Sequence, residues 1–516
     1  MAETARAESM AGGGARLSRR QLVGGVCAAL GGQLLPAWAG ADERPQLAFG
    51  VISDVHIGGR REAPQRLACA LRWLARRNVD AVLCPGDVTH TGRIAQLEQF
   101  AAIWHAVFPG GRAPDGHAVP LMISTGNHDA DDAFWRNASE ATMRATRLTY
   151  GDNAAKAWER LFGEKWALVW RREVKGYTFI GSQWPQLNPQ LEAFVKAQGG
   201  TFDPSRPFFH CQHEHPRGTC HGAYGRCGWD QGQSVAAFSP YPNAVVFSGH
   251  SHCSLADERT VWQGAFTSIG AGCLHEGGLA FGYDNCSAFW HRSFKENLMA
   301  PLNDAAAAWG GDPDGGCFEY VEVFARHLVV HRRSSVYDRP IGPAWVVPVP
   351  VARAAAYAPS RRAAARRAPQ FAADAVLAVE VCPRGSPLES RARAGEPCVY
   401  AVIPPAGAVD GCRVFTYDVA VQSGARTVAS GKVFAADFSL PDAEAARPTD
   451  WLVALKDLPP GEDLVVVATP RECFGHAGRP LRSAPFRIPS RPSQAPAIEK
   501  KEKTWCAKRS SAELTE

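Results

Sequence analysis

After the first forty positions the chain has no run of roughly eighteen uninterrupted apolar residues, so no membrane-spanning helix is expected in the mature protein. It also lacks a strong charge of either sign. Against 56 basic side chains stand 51 acidic ones, and a net charge of +5 over 516 residues is too weak a bias to imply a nucleic-acid partner. No internal repeat is present. The 15 cysteines are too few for a scaffold built on disulfides, though too many to pass over. What is there is ordinary for a globular protein with a real core: 46% hydrophobic and 21% charged residues. That balance excludes disorder throughout, collagen and a coiled coil. The length allows about three domains.

The first forty residues read as an export signal. Arg16, Arg19 and Arg20 precede a mild apolar run, Leu22 to Leu35, and Ala37-Trp38-Ala39 offers a small-x-small cleavage site. Ser18-Arg19-Arg20-Gln21-Leu22 resembles a twin-arginine signal, although Leu22 stands where Phe is commoner and no Lys follows the run. An ordinary secretory signal is the alternative. Val26 before Cys27 is too large for a lipoprotein signal. The expectation is a bacterial protein exported to the periplasm or beyond, where disulfides persist.

From Gln46 the pattern is α/β. Apolar runs at Leu47–Ser53, Val79–Cys84 and Val119–Thr125 read as strands buried on both faces. Between them Leu67, Leu71 and Leu74, then Ile94, Leu97, Trp104 and Val107, recur at helical spacing. This βαβαβ order implies a parallel sheet. Further strands are predicted at 177–182, 207–213, 243–248 and 266–270, and a closing hairpin over 318–333. The segment 346–370 is rich in Pro, Ala and Arg and has no acidic residue, which reads as a solvated linker carrying Arg361, Arg362, Arg366 and Arg367. Beyond it, alternating runs at 375–382, 398–403, 413–421, 427–434 and 464–468 predict a small β-sandwich resembling fibronectin type III domains, over 371–488. The polar tail 489–516 is expected to be disordered.

Five short motifs fall at the C-terminal ends of predicted strands, where ligands bind in open α/β sheets. They are Asp54-Val55-His56, Gly86-Asp87, Gly126-Asn127-His128-Asp129, His210-Cys211-Gln212-His213-Glu214-His215-Pro216 and Gly249-His250-Ser251-His252. Each alone is weak; five in this order are hard to obtain by chance. Together they supply carboxylates, a carboxamide and at least four imidazoles, a mixture suited to Zn, Mn or Fe. The donors are too many for one tetrahedral ion. Two divalent or trivalent ions sharing a carboxylate, about 3.5–4 Å apart, account for the number better. Two divalent ions less two carboxylates and a hydroxide leave about +1, which favours a small anionic substrate such as a phosphate ester.

The ordered set resembles the calcineurin-like metallophosphoesterase superfamily over residues 46 to about 340, within a catalytic domain expected over 46–345. The resemblance implies a two-sheet α/β sandwich with a dinuclear centre at one edge. It implies one ion held by Asp54, His56 and His252, the other by Asn127, His213 and His250, with Asp87 bridging. It implies that His128 faces the phosphate and either stabilises the transition state or protonates the leaving alkoxide, that Asp129 orients the His128 ring, and that the nucleophile is a metal-bound hydroxide. The implied activity is hydrolysis of phosphomonoesters or phosphodiesters. In the fourth motif His213, which ends the apolar run, is the favoured ligand and His215 the alternative. His90, three residues after Asp87, is read as lying behind the ligands or facing substrate, with a solvent-exposed turn histidine equally open.

Other residues carry less. Cys220 and Cys227, flanking His221, suggest a disulfide in an exported protein, with a small metal site second. Cys253 reads as a packed small side chain, and Trp184 as a core tryptophan, with stacking on a substrate ring as the alternative. His275 and Glu276 either border the pocket or sit in a plain loop. Asn137-Ala138-Ser139 is a glycosylation sequon only in a eukaryotic secretory context. Two other functions fit less well: a nuclease, disfavoured by the weak charge, and a binding protein on an inactive scaffold, disfavoured because every ligand position is filled. Specificity is expected in residues 130–175 and 185–240. The partner of the C-terminal domain is unknown.

Overall fold

The computed structural model describes residues 44–130, 152–184, 190–220, 230, 232–275, 316–384, 397–407, 413–438, 440–441 and 447–489. The export signal, the sequon, His221, Cys227, Glu276 and the tail from 490 lie outside them.

Strands β1 (Leu47–Val51), β2 (Ala81–Pro85) and β3 (Leu121–Ser124) lie parallel and adjacent, as the βαβαβ pattern predicts. Helices α1 (Ala63–Ala75) and α2 (Ile94–Val107) make the crossovers. On α1 the leucines at 67, 71 and 74 are buried, a stripe at helical spacing. On α2 the buried face is Phe100, Ala101 and Trp104, while Leu97 is only half-buried. Helix α3 (Asp152–Phe162) follows, then a second sheet.

That sheet comprises β4 (Val169–Val174), β5 (Tyr177–Ser182), β6 (Phe208–Cys211), β7 (Ala244–Ser248), β8 (Val261–Gln263) and β9 (Thr267–Gly270), in the order β4-β5-β6-β7-β9-β8. Its four central strands are parallel, and its outer strands β4 and β8 are antiparallel. Helices α4 (Gln190–Gln198) and α5 (Gln233–Phe238) contribute Leu191, Val195, Ala237 and Phe238 to a cluster with Ile180, Phe208 and Val246. The chain then rejoins the first sheet through β10 (Cys317–Val323), β11 (His327–Ser334) and β12 (Trp345–Pro348), giving the order β12-β11-β10-β1-β2-β3. The two sheets face each other across a buried apolar layer. There the Phe49 ring meets Phe179, Phe209 and Phe247 at 5.4, 4.9 and 5.7 Å between centroids. This is the two-sheet α/β sandwich, and it brings the C-terminal ends of β1, β2, β3, β6 and β7 to one edge.

The C-terminal region is all-β. Strands β13 (Ala378–Cys382), β14 (Cys398–Ile403) and β17 (Thr449–Ala454) form one antiparallel sheet. The other contains β15 (Val414–Ser423), β16 (Arg426–Phe434), β18 (Asp463–Glu472), β19 (Leu481–Arg482) and β20 (Phe486–Arg487). Trp451, Tyr417, Val419, Val421, Leu464 and Val466 are buried in this region. Strand β17 was invisible to an alternation test because Trp451 through Ala454 are all buried.

The segment 346–370 departs from a solvated linker. Its first residues are β12 itself, and helix α6 (Pro359–Ala364) carries Arg362 into the protein. The partner is Glu258. Its carboxylate accepts from Arg332 Nη1 (2.9 Å), from Arg366 Nη2 (3.1 Å), from the Arg362 guanidinium and from Trp345 Nε1 (3.1 Å). Burial pushes the Glu258 carboxyl up, but the three guanidiniums outweigh it and hold the group below its usual range. Arg332 also lies over the Trp345 ring at 4.2 Å and Arg362 over Tyr357 at 4.5 Å. Charge that composition assigns to solvent is therefore an internal clamp. Glu258→Gln would leave three buried cations without their counter-charge. It is expected to cost roughly 3–5 kcal/mol, read as a fall in the denaturant midpoint at unchanged slope.

Candidate metal centre

The loops that follow the strands continue the sheet's hydrogen bonding. Asp54 N–H donates to Gly86 O (3.1 Å), His56 N–H to Asp87 O (2.9 Å) and His275 N–H to Asp54 O (2.9 Å). Likewise Gly249 N–H donates to His213 O (2.8 Å). Laced this way, the loops turn sharply. Asp54, His56, Asp87, His250 and His252 all have φ between 50° and 66°. Non-glycine residues rarely adopt this left-handed region, Asp and His being among the more tolerant, and each costs on the order of 1–3 kcal/mol. Five such residues converge on one point, all of them from the five motifs.

The glycines of three motifs have a steric reason. A methyl group on Gly86 would lie 2.3 Å from the His213 ring, and Gly86 itself has φ +95°. A methyl on Gly126 would lie 2.2 Å from Asp87 Oδ1, and one on Gly249 would lie 2.3 Å from Asp54 Oδ2. Each glycine thus clears room for a donor from a different loop.

Besides an all-imidazole group of His56, His90 and His128, two donor groups that include carboxylates result. Asp54, His56, Asp87 and His252 form one, and Asp87, His213 and His250 the other; in each, one ligand atom per residue lies within 4.8 Å of the rest. Asp87 belongs to both. In the first group His252 Nε2 lies 3.1 Å from Asp54 Oδ1 and 3.2 Å from His56 Nε2. In the second His213 Nε2 lies 3.2 Å from Asp87 Oδ2, 3.1 Å from His250 Nδ1 and 3.0 Å from Asn127 Oδ1. Ring nitrogens and carboxylate oxygens aimed at one another this closely fit shared cations. The mixed N/O donor set suits borderline transition ions. Together the donors suggest a dinuclear metal site.

The surroundings fix each donor. Asp54 accepts from Ser53 Oγ (2.6 Å) and from the His250 N–H (3.1 Å to each oxygen). His213 Nδ1 meets Pro85 O at 2.9 Å, which leaves Nε2 for the centre. Electrostatics divide the histidines. Burial lowers His213, but Asp87 and Asp54 outweigh it and raise the ring to about 9. His250 falls to about 3 through burial and the neighbouring His213. His56 is held well below its usual range by burial, against the pull of Asp87.

The alternatives left open by the sequence resolve in geometry. His213 enters the donor group and His215 does not. His215 Nδ1 meets Ser248 Oγ (2.6 Å) and Cys220 Sγ (3.1 Å), and Nε2 meets Ser251 Oγ (2.7 Å). It ties down the loop that carries His250 and His252. Cys220 is thus occupied by His215; the pairing expected with Cys227 lies outside the described residues. His210 Nε2 contacts Gln212 Oε1 (3.0 Å) and Ser182 Oγ (3.3 Å), away from the donors. His90 is no solvent histidine. Its Nδ1 lies 3.3 Å from His56 Nδ1, and its ring stacks between His128 and His275 at 5.3 and 5.8 Å. His275 borders the centre, 4.8 Å from the His56 ring. Trp184 is half-buried, its N–H donating to Thr125 Oγ1 (3.3 Å), and is not a core residue.

Asp129 requires a correction. It does not orient the His128 ring, whose Nδ1 meets the His90 carbonyl at 2.8 Å instead. Asp129 accepts from Gly126 N–H (2.9 Å), Val88 N–H (3.3 Å), Thr89 N–H (2.8 Å) and Thr89 Oγ1 (2.8 Å). It braces the Asp87 loop against the Gly126 loop. The 3₁₀ turn His128–Ala130 points the two neighbouring side chains apart, which adjacency in sequence does not reveal. Burial and Asp87 push its carboxyl up to about 6, against those hydrogen bonds. Cys273, from the loop after β9, also went unnoticed: its Sγ lies 3.4 Å from Asp54 O and it hydrogen-bonds His252. No motif marks it.

Residues 47–254 match the family described as calcineurin-like phosphoesterase. This segment is a calcineurin-like phosphoesterase domain. Among curated proteins nothing matches the chain. Among solved structures, a dimetal phosphatase from Danio rerio is 11% identical, with 58% of this chain and 99% of that one covered and a TM-score of 0.33. A purple acid phosphatase from yellow lupin (Lupinus luteus) seeds is 15% identical, with 58% and 53% covered and a TM-score of 0.37. The family match ends at Ser254, two residues after the last ligand candidate, so β8 to β12 and the sandwich lie beyond it.

The glycine contacts give a direct test. Gly126→Ala is expected to keep the fold, by circular dichroism, yet lower metal affinity by roughly 10–100-fold. Gly200→Ala, whose methyl meets nothing within 4 Å, should leave metal content unchanged.

Proposed function

We propose that the chain is an exported, dinuclear metal-dependent phosphoesterase that hydrolyses a small phosphomonoester or phosphodiester. The observation that carries this reading is Asp87, the one carboxylate shared by both donor groups. Asp54, His56 and His252 would hold one ion, and Asn127, His213 and His250 the other. When bound, such ions polarise a phosphoryl oxygen and bring water ionisation toward neutral pH.

The remaining work falls to this chain's own residues. His128 N–H donates to Asp87 Oδ1 (2.9 Å), which places residue 128 against the shared carboxylate. With Nδ1 engaged by the His90 carbonyl, Nε2 is the ring atom left to bond a phosphoryl oxygen or to hand a proton to the leaving alkoxide. Asp129 acts as a positioning residue rather than a catalytic one. It keeps the loops bearing Asp87 and Asn127 at a fixed separation, so that substrate meets a preformed site. His90, His128 and His275 form an imidazole wall beside His56, their ring centroids 5.4, 4.6 and 4.8 Å from its own.

The test is metal content of the purified chain together with turnover of p-nitrophenyl phosphate and bis(p-nitrophenyl) phosphate. About two ions per chain and hydrolysis of either ester support the reading. No metal and no turnover after reconstitution with Mn, Zn and Fe would end it. In the same assay His128→Ala should retain metal and lower kcat by roughly 10²–10⁴.

Export rests on Arg19-Arg20, the apolar run Leu22–Leu35 and the site at Ala37–Ala39. We assign the protein to the periplasm or the extracellular space by the twin-arginine route. Replacing Arg19 and Arg20 by Lys should strand the precursor in the cytoplasm. Continued export of that variant would point to the general secretory route.

A further inference from the structure

Ten cysteines fall within the described residues, and most sit deep in the sandwich layers. Cys84 and Cys211 are fully buried in the phosphoesterase domain, where burial raises both thiols, Cys211 to about 12. Cys273 is engaged with Asp54 O and His252. Cys382 and Cys398 differ from all of these. They end β13 and begin β14, and the antiparallel register puts them directly opposite each other. Directly opposed residues on antiparallel strands have Cα atoms about 4.5 or 5.5 Å apart, according to whether the pair is hydrogen-bonded. Both spacings lie inside the range a disulfide spans.

The side chains also face the same way. The two thiols are within hydrogen-bonding reach of each other, and together with Leu452 they make a small apolar cluster of their own. The cluster lies at the margin of the C-terminal sandwich, where the chain leaves β13 for the segment 383–397. Among the described residues strand β13 is an edge strand paired only with β14, and its other four residues are exposed or half-exposed. An edge strand held by one neighbour is prone to fray or slip in register. A covalent link at its end would remove that freedom.

We propose that Cys382 and Cys398 are a redox-modification site and form a cross-strand disulfide when the chain meets a disulfide oxidant. The step is thiol–disulfide exchange. One thiol, as its thiolate, attacks a sulfur of a small-molecule disulfide such as oxidised glutathione, forms a mixed disulfide and releases one reduced thiol. The second cysteine of the pair then attacks the protein sulfur of that mixed disulfide and expels the other half of the oxidant. The protein loses two protons and two electrons; the oxidant gains them as two thiols. The bond would close the segment 383–397 into a loop and pin the register of β13 on β14. The inference is independent of the phosphoesterase reading, since neither residue lies near the metal centre.

The experiment uses the full purified chain. It is reduced, freed of reductant, incubated with oxidised glutathione, alkylated and digested without further reduction. Mass spectrometry should then find one cross-linked species joining the Cys382 and Cys398 peptides, two hydrogens lighter than their sum. Cys382→Ser and Cys398→Ser should each abolish it while leaving metal content and ester hydrolysis at the unmodified level. Alkylation of both thiols after prolonged exposure, glutathione adducts that never resolve, or a link from Cys382 to a different cysteine would each overturn the proposal.

Discussion

The candidate centre depends on one steric constraint: backbone from one loop must come close enough to side chains of another that no Cβ fits between them. Gly86 lies against His213, Gly126 against Asp87 and Gly249 against Asp54. The left-handed turns at Asp54, His56, Asp87, His250 and His252 serve the same end, since they swing the donors inward from the strand ends. Such turns are unfavourable locally. They persist because the loops are hydrogen-bonded to one another beyond the ends of the strands and because the strands are set in two packed sheets. The layer around Phe49 is thus part of what holds the donors in place.

Much of this was legible in the residues. The five motifs name the donors, and the apolar run ending in His213 separates it from His215. The first three strands, their helices and the closing hairpin follow from periodicity. The antiparallel edge strands β4 and β8 did not show, because Val169–Val174 mixes Arg and Glu into a half-buried edge and Val261–Gln263 is too short to carry a pattern. What else escaped were relations between residues far apart in the chain, or turned away from each other despite adjacency. Asp129 follows His128 but bonds to the backbone at 88, 89 and 126. Arg362 and Arg366 sit in a stretch without acid, yet their counter-charge stands at Glu258, about a hundred positions earlier. Local composition has no means of registering either.

The Glu258 clamp also changes how the two parts of the protein are divided. The edge strand β12 of the first sheet, the helix α6 and the aromatic residues Trp345 and Tyr357 surround the same buried carboxylate. On the sandwich side, Arg259 lies over the Phe415 ring at 4.7 Å. The stretch that composition marks as a boundary is therefore where the phosphoesterase domain is fastened. Buried ions gain little for stability over well-packed apolar groups, but they are unforgiving of a missing partner.

The glycine contacts carry a consequence for how such a site drifts over generations. A mutation at Gly86 does not disturb the residue beside it so much as His213, which arrives from the other sheet. Each loop holds a veto over a donor it does not itself supply. Single changes within the motifs are therefore penalised at a distance, and compensation would need two loops to change together. Innovation is left to the intervening stretches, where length and composition are free to vary without touching a glycine or the donor it admits.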